Sequence, residues 1–225
     1  VTVNSYFLPQ DGKGGNAALD WATQALQYYE RAFGPYPYLE LDVVETSTSA
    51  GGIEYPGLVV IASDLYGNND VRSFFEAATV HEVAHQWWYN VVGDDQLNTP
   101  WLDESTAQYA TYLYYEAQYG ARGAEGFKAS LEDRWRAVNN EKKPIGLPVT
   151  SYNDQEYSAI VYGRGPLFLI DLQNKVGKAA MLTFLQQYYQ KYAWQIATPA
   201  GFQGMLQQAS GIDLSADFNA VVYGK

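Results

Sequence analysis

His81-Glu82-Val83-Ala84-His85 is the stretch from which the rest of the chain is read. Its two histidines are the only ones among 225 residues, and they stand four apart inside a run with helical patterning. Side chains four apart lie one above the other on a helix, so both imidazoles can close on one metal ion. A glutamate beside the first histidine can polarise a water at that ion. The pattern predicts a helix over 70–90, with Phe74, Phe75, Ala78, His81, His85 and Trp88 near one stripe.

A catalytic zinc site takes three protein ligands and keeps one position open. With no third histidine and no cysteine in the chain, the third ligand must be Asp or Glu. Glu104, at the start of a helix predicted over 103–119, is the best candidate. The loop over 93–100 lets that helix fold back, so that its first turn faces the histidines. Glu82 would then activate the water and carry its proton to the leaving amine. Ser-His-Asp catalysis is disfavoured, because both histidines are committed to the metal motif.

Upstream, apolar residues recur at helical spacing from Ala18 through Trp21, Ala22, Ala25, Leu26 and Tyr29 to Phe33. This predicts a helix over 16–33, capped by Asn16 after a turn over 11–15 and stopped by Gly34-Pro35. Residues 39–45 alternate as a strand, and 58–62 (LVVIA) read as a buried one. Between them, Gly and Pro at both ends of 51–57 predict a short edge strand. Downstream, helices are predicted over 124–138, 163–176, 178–192, 199–209 and 214–222, with an irregular stretch over 139–154. The whole reads as α+β: a small mixed α/β lobe over about 1–69, then a larger helical lobe over 70–225. The metal helix lies at their junction, where clefts form.

Net charge is −11, from 25 acidic and 14 basic side chains. That opposes nucleic-acid binding, which needs a basic footprint. It mildly favours cationic ligands such as a peptide's free amino terminus. No apolar run approaches the roughly 20 residues that span a bilayer. The lack of cysteine excludes disulfides, and the acidic composition is compatible with export.

The span from His81 to Glu104 resembles the ligand pattern of the gluzincin aminopeptidases, the family of aminopeptidase N and the leukotriene A hydrolase type. His85-Gln86-Trp87-Trp88-Tyr89-Asn90 is similar to the family's H-Q-W-F-G-N, and Trp101-Leu102-Asp103-Glu104 to its W-L-N-E. Phe33-Gly34-Pro35-Tyr36-Pro37-Tyr38 resembles its F-G-x-Y-P-Y segment. The resemblance covers the whole chain and implies a thermolysin-like, two-lobed zinc metallopeptidase domain. It implies one zinc ion, a peptide substrate, release of N-terminal residues, and further domains flanking this one.

The resemblance also implies roles that spacing alone does not. Gly51-Gly52-Ile53-Glu54-Tyr55 matches the family's G-x-M-E-N, which places Glu54 on the residue that binds the substrate's α-amine. Gly51 and Gly52 would permit close approach of a peptide backbone. Tyr162, in Val161-Tyr162-Gly163-Arg164-Gly165, matches the tyrosine that stabilises the oxyanion. With Pro166 in a first helical turn, Tyr162 would sit just before that helix, near its positive end. Tyr157 matches a tyrosine lining the site, with core packing as its other reading. Asp103 either supports a metal ligand or caps its helix. Ile53 and Tyr55 depart from the family's Met and Asn. They motivate the alternative of a zinc endopeptidase or related hydrolase, and the flanking domains that the resemblance implies motivate another, a zinc-binding domain with little activity apart from its flanks.

Overall fold

The alternating stretch over 39–45 buries every second side chain, and a sheet grows on both sides of it. The computed structural model describes residues 1–67 and 72–225 and divides into two compact units, Val1–Asn90 and Val91–Lys225. In the first, β1 (Thr2–Tyr6) and β2 (Glu40–Thr46) pair in parallel. β3 (Gly52–Tyr55) and β4 (Leu58–Ala62) form a hairpin, and β4 joins β2 in parallel. The order β1-β2-β4-β3 leaves β3 at one end, as expected of an edge strand. Leu41, Val43, Val59 and Ile61 are the sheet's fully buried side chains.

Among the described residues three helices complete this unit: α1 (Gly12–Ala32), a single turn α2 (Ser63–Tyr66) and α3 (Arg72–Ala84). The expected stripe of α1 is buried, but the helix begins at Gly12 instead of being capped by Asn16. The glycines read as a turn lie inside it for packing. A Cβ on Gly15 would fall 1.9 Å from the Phe7 ring, and one on Gly14 would fall 2.6 Å from the Tyr66 carbonyl oxygen. Trp21 meets Phe75 of α3 edge-on at 5.1 Å, and the Tyr29 hydroxyl donates to the Val80 carbonyl at 3.3 Å. The Trp87 indole donates to Gly34 O at 2.9 Å. An aromatic pair of this kind adds about 0.5–1.5 kcal/mol beyond its buried area.

The predicted continuation of α3 to residue 90 is corrected: the helix ends at Ala84. Its predicted start at 70 and 71 lies outside the described residues. Past Ala84 the chain tightens, with Gln86 N bonding Val83 O at 3.1 Å and Trp87 N bonding Ala84 O at 3.0 Å. Tyr89 then takes φ 120°, which no helix continues.

The second unit opens with Val92–Gly93 (β5), which pairs in parallel with Gln195–Ile196 (β6), a two-residue ladder that the sequence did not predict. Its helices are α4 (Trp101–Arg136), α5 (Asp154–Ala159), α6 (Gly165–Val176), α7 (Lys178–Tyr192), α8 (Pro199–Ser210) and α9 (Ser215–Phe218). The break expected at Gly120 is present inside α4, where φ is 67°. α5 falls at the end of the stretch read as irregular. A capping box forms it: the Asn153 side chain accepts from Glu156 N, and the Glu156 carboxylate accepts from Asn153 N.

Between α5 and α6 the chain stays helical through one widened π turn, Ile160–Arg164. Pro166 therefore does not open a helix after a loop. It lacks the N–H that would bond the carbonyl four residues back, and a widened turn accommodates that loss. Ser105 of α4 holds this turn. Its hydroxyl donates to Val161 O at 2.7 Å, and a Cβ on Gly165 would lie 2.0 Å from its oxygen. Among the described residues no helix is long and apolar enough to cross a membrane.

Candidate active site

The last turn of α3 and the residue after it present the metal motif. His81, Glu82 and His85 are all buried, and His85 N still bonds His81 O at 3.3 Å. The two Nε2 atoms stand 3.1 Å apart with the rings nearly perpendicular. His85 Nδ1 lies 2.8 Å from the Trp88 carbonyl. A carbonyl only accepts, so Nδ1 carries the proton, and in the neutral ring Nε2 keeps its lone pair. Two imidazole nitrogens on one tetrahedral zinc, each at about 2.0–2.1 Å, would be roughly 3.3 Å apart. The pair fits such an ion, and a carbonyl partner on the far nitrogen is the usual way of fixing a ligand ring.

β3 passes directly against Glu82. A Cβ on Gly52 would come within 2.5 Å of both Cγ and Oε1 of that glutamate. Gly52 therefore makes room for the Glu82 side chain. Gly51 is less constrained, since a Cβ there would meet the Phe74 ring at 3.6 Å, an ordinary contact. Glu54 shares the Gly52 face of the strand, two residues on. Tyr55 is 52% exposed.

Two residues in this unit received no role from the sequence. Gln86 donates to Tyr55 O at 3.0 Å and accepts from Gly57 N at 2.8 Å. Asn90 donates to Glu54 O at 3.1 Å. The turn after α3 thus grips the β3 hairpin through two carboxamides. The signal was two amides within the aromatic run over 86–90, where apolar packing alone would not select them.

In the second unit, Glu104 sits in the first turn of α4 and Tyr162 in the π turn packed against it. The Tyr162 hydroxyl hydrogen-bonds the Glu104 carboxylate. Burial holds the Tyr162 phenol well above its ordinary pKa, and the Glu104 and Tyr157 charges push the same way. The Tyr157 phenol is raised by burial first, then by Glu104 and Asp103, and it hydrogen-bonds Tyr162. The two rings meet edge-on at 5.6 Å. Tyr162 does not stand before a free helix end, because the chain is helical on both sides of it. The expected contribution of a helix dipole therefore falls away. Asp103 accepts from Glu104 N and from Gln96 Nε2, each at 2.8 Å, so it fastens the backbone of the first turn.

The family model for the peptidase family M1 domain matches residues 17–221. The chain is 28% identical over 233 residues to the alanine/arginine aminopeptidase of Saccharomyces cerevisiae, covering 97% of this chain and 27% of that protein. It is 26% identical over 212 residues to aminopeptidase N of Streptomyces lividans, covering 88% and 25%. The chain thus spans about a quarter of the length of these curated relatives. Among solved structures, an M1 zinc metallopeptidase from Deinococcus radiodurans superposes with a TM-score of 0.68 at 24% identity, over 90% of this chain and 42% of that one. Yeast LTA4 hydrolase in complex with bestatin gives 0.78 at 21% identity, over 95% and 36%. These likenesses share the mixed-sheet and helical α+β fold described above. The chain belongs to the peptidase M1 family.

Proposed function

We propose that this domain is the catalytic part of a zinc-dependent aminopeptidase, with His81, His85 and Glu104 as the metal ligands. The observation that carries the reading is the buried pair of Nε2 atoms 3.1 Å apart, with Glu82 lodged between them in sequence and pressed by β3. The relatives' names supply the substrate class, and family membership supplies the expectation of zinc. Zinc bound there would supply Lewis acidity to a water and to the scissile carbonyl.

The chain's own residues carry the remaining steps. Glu82, without room to swing toward β3, takes a proton from the attacking water and delivers it to the leaving nitrogen. Tyr162 keeps its proton across the working pH range and donates a hydrogen bond to the oxyanion. Glu54 pairs with the substrate's α-ammonium and so sets cleavage one residue from the chain end. Further domains, as in the longer relatives, would complete the amine pocket, so the isolated domain would bind zinc and turn over slowly.

The test is N-terminal residue release from a free peptide and from its N-acetylated twin, with Glu82→Gln as the control. The reading expects release from the free peptide alone, and near-complete loss in the variant with metal retained. Equal rates on the two peptides would sink the aminopeptidase reading.

A further inference from the structure

The register of β3 assigns its backbone groups to one side or the other. Gly51 O accepts from Ala62 N at 3.1 Å, so these two residues form a hydrogen-bonded pair. Pairs alternate along an antiparallel ladder, and Gly52 faces Ile61 while Glu54 faces Val59. The N–H and C=O groups of Gly52 and Glu54 therefore point away from β4, along the end of the sheet. Such an edge is a template for an extended peptide. On that same edge, the Asn90 carboxamide already holds the Glu54 carbonyl at 3.1 Å.

We propose that Asn90 is a specificity-determining residue: by occupying the outward carbonyl of Glu54, it ends the open edge of β3 beside the carboxylate that reads the substrate amine. The inference rests on that reading of Glu54. A peptide added antiparallel brings its amino terminus to the C-terminal end of β3, where Glu54 stands. Its chain then runs back along that edge past Gly52, the residue against which Glu82 packs. A peptide extended beyond its first residue needs the Glu54 carbonyl for one of its own N–H groups, and meets the Asn90 amide there instead. Gln86 fixes the following turn through Tyr55 O and Gly57 N, so the strand does not yield to make room.

Asn90→Asp keeps the side chain's size and removes the donor, and Asn90→Ala removes the group. Both are made in the full-length protein and compared with wild type on tetra-alanine amide and N-acetyl-tetra-alanine amide. kcat and KM are measured for each, and the cleaved bond is found by mass spectrometry. The ratio of kcat/KM for free over acetylated peptide should fall by at least about tenfold in both variants, with KM for the free peptide raised and zinc content unchanged. An unchanged ratio overturns the proposal. So does an equal loss on both peptides, because a merely structural role lowers both together. If Asn90→Ala fails to fold, the isosteric Asp variant decides alone. A wild type that releases no N-terminal residue overturns the aminopeptidase reading and this inference with it. A wild type that does so, with variants of unchanged ratio, overturns this inference only.

Discussion

Gly52→Ala separates catalysis from stability at one position. The new Cβ would lie 2.5 Å from Cγ and Oε1 of Glu82, where ordinary contact begins at 3.4 Å. The atoms it meets all belong to one side chain, so the clash is relieved by swinging the Glu82 side chain away, and the backbone of β3 need not move. The carboxylate then shifts by about 1 Å, and a misplacement of that size costs on the order of 100-fold in rate. Stability should fall by no more than the roughly 1–3 kcal/mol typical of overpacking. The assay is kcat on an aminoacyl-p-nitroanilide, alongside zinc content and a denaturant unfolding curve. We expect kcat to fall by about two orders of magnitude with zinc retained. A variant within threefold of wild type would refute the reasoning, since β3 would then not fix Glu82.

Two other outcomes follow from the same geometry. Tyr162→Phe should lower kcat by about 100- to 1,000-fold with KM little changed, as measured by steady-state kinetics. The buried phenols of Tyr36, Tyr66 and Tyr188 are all raised above the ordinary tyrosine value, chiefly by burial. Their native forms hold protons that the unfolded chain releases near pH 10. Stability is therefore fully present below that pH and falls above it, by up to about 1.4 kcal/mol per pH unit for each protected phenol. Urea unfolding at pH 8, 9.5 and 11 reads the decline, and a flat profile would contradict it.

The sequence carried the first unit well where one period dominated. The stripe from Ala18 to Tyr29 and the run LVVIA each stand in the expected element, because burial enforces periods of 3.6 and 2. It failed where glycine serves a neighbour instead of a turn. Gly14 and Gly15 lie inside α1 to admit Tyr66 and Phe7, partners that no local pattern announces. The end of α3 was misjudged because its aromatic residues keep helical spacing while Tyr89 takes a positive φ. The Asn153–Glu156 capping box was legible in principle, as Asn followed three residues later by Glu. The π turn carrying Tyr162 was not, since Pro166 suits a first turn equally well. Likewise the grip of Gln86 and Asn90 on β3 depends on tertiary hydrogen bonds alone.

The central claim is that His81, His85 and Glu104 together hold the metal, and the zinc content of purified protein tests it most directly. After dialysis against metal-free buffer, wild type and Glu82→Gln should each keep about one zinc per chain, and Glu104→Ala should keep less than about a tenth of that. Full zinc retention by Glu104→Ala, or none in wild type, would contradict the account.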